Sequence, residues 1–426
     1  MTDASSCEAQ PGPGALEAWV PLGLLDFEHA TPLPVIQNQG LTPVRLAWQG
    51  GRLCEPKPLP AEQAPPSRMV LPRLVDCHVH LDKAYTWQDH PNLSGSYGGA
   101  LEANLQEHNS RTVASVLQRG ERAMERAFAH GLRAMRSHVD SGGPGAEPSW
   151  EALLTLQQRW RSRIDLQLVA LVPLAFWGSA EADVLARRVA ASGGCLGGVL
   201  TPPCGSAVVA QQLEHLLRLA DRHSCGVDLH IDEADHGPAE GMVQLLKALR
   251  RVPVQVPVTC SHASSLSLLS APSLMRLAER MAAAQLSVIA LPLTNAWLLG
   301  RSEGATPLQR PQAPIRQLQR CGVPVAVAGD NVADPWFPGG DFDPLALLAA
   351  SLPLTQLLPW QRLGLAPFTT APPACLQLEW DGVLRAGAPA DLICIEGQGW
   401  SDLIRCPPQR QVLVNGHWLT SSGARP

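Results

Sequence analysis

Val75-Asp-Cys-His-Val-His-Leu-Asp-Lys83 alternates apolar and polar residues, the pattern of a β-strand that turns His78 and His80 to the same side. Two imidazoles at that spacing, behind an acid, read as part of a metal-ligand set. Further downstream, Val227-Asp-Leu-His230, Val258-Thr-Cys-Ser-His262 and Val323-Pro-Val-Ala-Val-Ala-Gly-Asp330 each end an apolar run in a candidate ligand. Strands that all deliver such residues at their carboxyl ends point to a closed parallel barrel, whose site sits at that end.

Working outward, eight strand-like runs lie between about Leu74 and Asn331. They are Leu74–His80, Arg133–Asp140, Asp165–Pro173, Leu196–Thr201, Gly226–Asp232, Val256–His262, Leu286–Leu293 and Val323–Asp330. Amphipathic stretches separate them, for example Val113, Val116, Leu117, Met124 and Phe128, or Val209, Leu213, Leu216, Leu217 and Ala220. Strands alternating with helices make a parallel sheet, and eight such units predict an α/β fold of the (β/α)8 TIM-barrel type over residues 70–372. The flanks are different. Residues 1–20 read as a flexible tail, and residues 21–69 and 373–426 as one composite β-sandwich. In the last segment, Ala388–Ile395 and Gln411–Leu419 are strand-like, the second folded at Asn415-Gly416.

The chain has 426 residues, 45% apolar and 17% charged, against a usual charged share of about 25%. That supplies a large core and accommodates homo-oligomeric association. A formal net charge of −5 without a Lys/Arg cluster argues against a nucleic-acid partner. Eleven cysteines without a CxxC pair read as reduced thiols, and so as a cytoplasmic protein. The start has no signal-peptide character, and the longest apolar stretch, Leu286–Leu299, is too short to span a bilayer. No membrane association is expected.

The candidate ligands are His78, His80, His230 and Asp330, three imidazoles and one carboxylate, a set that suits one divalent ion, Zn(II) or Fe(II). Such an ion lowers the pKa of water towards neutrality, so hydrolysis is the chemistry most directly implied. Glu233 could serve beside that water as a proton shuttle. Alternatively it belongs, with Asp235 and His236, to a solvated acidic cluster opening the next helix, the reading preferred for the latter two. His262 either hydrogen-bonds the attacking oxygen or caps a helix. Trp87, Trp177 and Trp297 follow strand ends and are either pocket walls or core. Asn295 is either a ligand-facing amide or part of a turn.

His78-Val-His-Leu-Asp82, Ser137-His-Val-Asp140, His230-Ile-Asp-Glu233, Ser261-His262 and Asp330-Asn-Val-Ala-Asp-Pro-Trp336 together resemble the cytosine deaminase group of the amidohydrolase superfamily. The resemblance runs over roughly Leu71–Pro338 and more weakly through Ala388-Pro-Ala-Asp-Leu-Ile. It implies a single Fe(II) or Zn(II) on His78, His80, His230 and Asp330, with Glu233, His262 and Asp330 catalytic. In the family reaction hydroxide attacks the amine-bearing ring carbon, Glu233 protonates the adjacent ring nitrogen, Asp330 accepts the water proton, and ammonia leaves. Leu81, Asn331 and Trp336 fall at substrate-contacting positions, and His138 and Asp140 at supporting ones. The implied substrate is a small heterocycle. Cytosine deaminase itself has a Gln at the end of the third strand, where Leu171-Val-Pro-Leu-Ala-Phe-Trp177 has no amide, and an Asp where Asn331 stands. A site lacking a recognition hydrogen bond loses discrimination for that substrate. A related heterocycle is therefore expected; the alternatives are hydrolysis of a cyclic amide or an alkylamino-triazine, or an inactive small-metabolite-binding relative.

Overall fold

The computed structural model describes residues 13–27, 39–60, 62–405 and 408–419. The chain divides into two compact units. The larger comprises Val75–Leu358 and Leu365–Leu378; the smaller comprises the described residues up to Leu74, Pro359–Gly364 and those from Glu379 onward.

The larger unit is built on eight parallel strands: β1 (Leu74–Val79), β2 (Leu132–Asp140), β3 (Asp165–Leu171), β4 (Cys195–Leu200), β5 (Gly226–Ile231), β6 (Val258–His262), β7 (Ser287–Ala290) and β8 (Val325–Val327). Each pairs with its sequence neighbour, and a parallel bridge from Val79 to Asp330 joins the last strand's exit to the first. There the Asp330 N–H donates to the His78 carbonyl at 2.8 Å. The expected barrel is thus present, nearly closed on itself.

Helices lie where the 3.6-residue period places them. Val113–His130 opens on a Thr112/Ser115 capping box, closes on Gly131 at φ 96° and buries Val116, Ala123 and Met124. Ala207–His223 is capped by Ser206 and buries Leu213, Leu216, Leu217 and Ala220. Strand β7 stops at Ala290, short of the expected Leu293, because Pro292 opens a helix, Pro292–Leu298. A proline's fixed φ and missing N–H suit that first turn and not a ladder. Asn295 therefore sits on a helix.

The expected domain boundary at 373 moves. Helix Ala371–Leu376 belongs to the barrel unit, where Cys375 and Leu376 pack with Val75, Cys77, Ala134, Ile289 and Ala326.

In the smaller unit one hydrogen-bonded sheet runs in the order His417–Trp418, Arg410–Val414, Leu392–Glu396, Arg68–Pro72, Gly14–Pro21, Leu41–Gln49, Arg52–Leu53, with Lys57–Pro58 also on Leu41–Gln49. Its far edge curls back: Leu53 N–H donates to the Ala388 carbonyl, and Ala390 N–H to that of Gly51, both at 2.8 Å. The sheet thus wraps a core of Leu16, Val44, Leu46, Trp48, Val70, Leu392 and Leu413. The reading of 1–20 as a flexible tail fails over Gly14–Pro21, which pairs along its whole length with Leu41–Trp48; residues 1–12 lie outside the described residues. The Asn415-Gly416 hairpin forms, with φ of 47° and 80°, the positive values a two-residue turn requires. Cys77, Cys260 and Cys394 are buried free thiols. Among the described residues, no helix is long and apolar enough to cross a membrane.

Candidate metal centre

At the carboxyl ends of the barrel strands His78 and His80 leave β1, His230 sits on β5, His262 ends β6, and Asp330 follows β8. Ligand atoms of His78, His80 and Asp330 lie within 4.8 Å of one another, as do those of His78, His230 and His262. His78 Nε2 is 3.5 Å and His80 Nε2 3.3 Å from Asp330 Oδ1. Ring centroids separate His78 from His230 by 4.7 Å and His80 from His230 by 5.5 Å. Chain segments far apart in sequence therefore converge as the spacing predicts.

The local backbone explains how. Asp232, His262, Ala263, Asp330 and Ala333 all have positive φ, between 48° and 70°. Non-glycine residues held there cost on the order of 1–3 kcal/mol each and cluster at functional sites. The chain turns sharply as it leaves β5, β6 and β8, re-aiming the next side chain. Gly329, just before Asp330, must lack a side chain: a Cβ would come within 2.7 Å of Asp76 Oδ2. The Asp76 carboxylate instead accepts the Gly329 N–H at 3.0 Å.

Burial and neighbouring charges set the protonation states. Burial, then the surrounding imidazoles of His138, His230, His80 and His262, holds His78 well below the usual histidine range. Burial, with His138, His262 and His80, does the same for His230. Burial brings His262 down to about 4 despite the nearby Asp330. For Asp330 burial pushes upward, but the hydrogen bond from His80 and the charges of His262 and His80 hold it below its ordinary value. Glu233 goes the other way: burial and the Asp330 charge raise it well above the carboxylate range, offset only partly by Tyr97 and Lys83.

Neutral imidazoles and one ionised carboxylate are what a divalent cation requires. The side-chain atoms His78 Nε2, His80 Nδ1, His230 Nδ1, His262 Nε2 and Asp330 Oδ2 are buried without hydrogen-bond partners. Leaving a buried polar atom unpaired costs about 1–3 kcal/mol, and His78 Nε2, 3.5 Å from Asp330 Oδ1, is one that a bound ion would satisfy. A third cluster, His78, His138 and Asp228, is also close enough to be considered. There, however, Asp228 already accepts from Arg136 at 2.8 Å and Ser261 at 2.7 Å.

The other expected site residues are placed as follows. Glu233 Oε1 lies 3.4 Å from His262 Nδ1, and Asn295 Nδ2 3.1 Å from that same nitrogen. Glu233 is thus inside the cavity; Asp235 and His236 pair with each other at 3.0 Å on the surface, the bland reading. Leu81 is fully buried, its N–H held by Ser137 Oγ. The Asn331 amide donates to Asp334 Oδ2 at 2.9 Å, so its side chain is committed within the β8 loop. Trp336 stands edge-on to Tyr97 with centroids 5.0 Å apart, its buried Nε1 without a partner. Trp177 is core, its Nε1 donating to the Gly197 carbonyl. Trp87 and Trp297 are half-buried, and Trp297 packs edge-on against Phe337.

Two groups escaped the sequence reading. Tyr97 donates to Glu233 Oε2 at 3.5 Å from the first residue of helix Tyr97–Asn109; no spacing links those positions. Arg111 joins Asp82 (2.8 Å), Glu107 (2.7 Å) and Asp140 (3.0 Å), while Lys83 pairs with Asp140 at 3.0 Å. This buried cluster anchors the loop after His80. Lys83 and Asp140 both belong to it.

A family model for the amidohydrolase family matches residues 121–419. The chain therefore belongs to the amidohydrolase family. A pterin deaminase of Rhizobium rhizogenes strain K84 is 32% identical over 350 residues, covering 81% of this chain and 79% of that protein. N-isopropylammelide isopropyl amidohydrolase of Pseudomonas sp. strain ADP is 25% identical, covering 77% of this chain and 79% of that one. Among solved structures, 5-methylcytosine deaminase from Klebsiella pneumoniae with bound 5-fluorocytosine superimposes with a TM-score of 0.79 at 24% identity, covering 96% of this chain and 98% of that chain. The last likeness carries the fold, a cytosine deaminase-like barrel with a sheet built from both termini.

Proposed function

We propose that this chain is a hydrolytic deaminase of an amino-substituted nitrogen heterocycle, with a pterin as the first candidate substrate. One observation carries the reading: Glu233 and Asp330 lie against the same histidine cluster, 3.4 Å from His262 Nδ1 and 3.3 Å from His80 Nε2, yet burial raises the first carboxyl well above its ordinary range while the imidazoles hold the second below it. Two carboxyls pushed apart in this way are the acid and the base of a reaction. His78, His80, His230 and Asp330 would hold a single Zn(II) or Fe(II), whose chemistry when bound is to bring the pKa of water to about 7.

The remaining steps fall to the protein's own groups. Asp330, ionised, accepts the proton of the attacking water. Glu233, protonated, gives its proton to the ring nitrogen beside the amine-bearing carbon; Asp330 passes the water proton on to the amine, which leaves as ammonia, and the hydroxyl proton of the adduct returns to Glu233 as the carbonyl forms. Asn295 donates to His262 Nδ1, so the imidazole proton lies on Nε2, where it can hydrogen-bond the attacking oxygen. Leu81, Asn331 and Trp336 lie against the substrate, Trp336 offering its unpartnered Nε1–H to a ring acceptor and Asn331 shaping the β8 loop.

The pterin assignment is supported by the relative at 32% identity and by the absence of an amide at the end of β3. A second reading, removal of an alkylamino group from a triazine, is favoured by the relative at 25% identity. Ammonia release from pterins, aminopyrimidines and triazines by zinc- and iron-loaded protein tests both. Turnover of a pterin is the expected result. Silence on every amine together with opening of a lactam would reject deamination, and protein that retains no stoichiometric metal would revive the inactive binding relative.

A further inference from the structure

We infer that Ser261 and Asp228 dictate which ring nitrogen of His78 bears its proton, and so present Nε2 as a bare lone pair to a divalent cation. The inference rests on the metal-site reading above but concerns residues outside the ligand set. His78, Ser261 and Asp228 are fully buried and Arg136 nearly so.

Donor arithmetic fixes the direction of each bond. A guanidinium only donates, and Arg136 Nη1 lies 2.8 Å from Asp228 Oδ2. Ser261 Oγ lies 2.7 Å from Asp228 Oδ1, and an ionised carboxylate only accepts, so the single hydroxyl proton of Ser261 is committed there. The same Oγ stands 2.9 Å from His78 Nδ1. It can only accept, and the proton of the neutral imidazole must therefore sit on Nδ1. Nε2, without a hydrogen-bond partner and 3.5 Å from Asp330 Oδ1, is left with its lone pair exposed to the cavity. Arg136 is itself anchored by the Cys375 carbonyl and Gln167 Oε1, each at 2.7 Å, so the relay starts from a fixed point. His138 Nε2 stands 3.6 Å from Asp228 Oδ2, the oxygen that Arg136 also holds, and so leaves Oδ1 to Ser261. Ser261 and Asp228 are positioning residues, acting through His78.

Asp228→Asn reverses the relay almost without changing its shape. Because Arg136 can only donate, the new amide must turn its oxygen to Arg136 and its NH2 to Ser261. Ser261 then accepts a hydrogen bond from that NH2 and points its own hydroxyl proton at His78 Nδ1, leaving the imidazole proton on Nε2. Long-range 1H–15N correlation of the ring nitrogens in metal-free, histidine-labelled protein reads this directly. The expected result is an Nδ1–H tautomer for His78 in the natural protein and Nε2–H in Asp228→Asn. Zn(II) affinity, measured by chelator competition, should fall about 10–100-fold, the usual loss when a ligand's outer partner is removed.

An Nε2–H tautomer in the natural protein, or equal Zn(II) affinity in both, overturns the inference. Should Asp228→Asn not fold, Ser261→Ala takes its place. It should lose affinity by a similar factor, and Ser261→Thr, which restores the hydroxyl, should recover it; equal affinity for all three again overturns the inference. Failure of the deaminase reading looks different: the tautomers would stand as described while no amine is released.

Discussion

The turn after β5 and the turn after β8 use one device to opposite ends. Each passes through a residue of positive φ, Asp232 or Asp330. Each also spends one aspartate on its own backbone: Asp232 accepts from Gly241 and Met242 N–H at 2.8 Å, and Asp334 from Trp336 N–H at 2.8 Å and Phe337 N–H at 3.2 Å. Burial raises both of these tying aspartates to about 6. Each turn then aims a further carboxylate into the shared cavity. There the likeness ends, because the imidazoles hold Asp330 below its ordinary carboxylate range while burial and the Asp330 charge push Glu233 well above it. Backbone geometry delivers a carboxyl to a site, and its neighbours decide what it does there.

The sharpest break of this symmetry is Asp330→Asn. It removes a proposed ligand as well as the base, so metal affinity should fall by more than the ~100-fold typical of merely supporting residues. Metal analysis and ammonia release should both collapse; retained stoichiometric zinc would contradict the ligand assignment. Glu233→Gln should cut kcat by about 10²–10⁴-fold while metal content holds, since general acid–base catalysis contributes on that order. Unchanged turnover in this variant would end the proton-shuttle role. Smaller still, Asp232→Ala and Asp334→Ala should each destabilise the fold by about 1–3 kcal/mol, because buried N–H groups lose their acceptors. Thermal unfolding checks this, and two unaltered midpoints would dissolve the parallel between the turns. Least of all, Tyr97→Phe removes one long hydrogen bond to Glu233. About 1 kcal/mol, or several-fold in kcat, is expected with metal affinity untouched.

How far the chain could be read follows the range of the signals. The strands and their terminal histidines were legible because period-two alternation and the residue at a strand's end are local facts. Asp228, two residues before His230 on the same strand, was within reach of that period, which sets both on one side of β5. Its partnership with Ser261 and Arg136 was not, since it crosses strands and depends on register. Tyr97 was hidden because a contact across the cavity leaves no trace in spacing. The strand at Gly14–Pro21 was missed since polar residues and prolines around it imitate a loose tail, and only pairing with Leu41–Trp48 gives it a partner. Pro292, by contrast, carried its message in the sequence: a residue without an N–H should have shortened β7.

The hydrogen bond from Asp330 N–H to the His78 carbonyl makes a proposed ligand residue the staple of the cylinder. Its backbone seals the seam between the first and last strands while its side chain faces the histidines, so the pocket and the closed wall come into being together. A nascent chain released before Val325 would carry His78, His80 and His230 yet lack Asp330 and the closing strand. Competence thus waits on the final strand, and a fragment ending at Val323 should show no tight Zn(II) uptake by equilibrium dialysis.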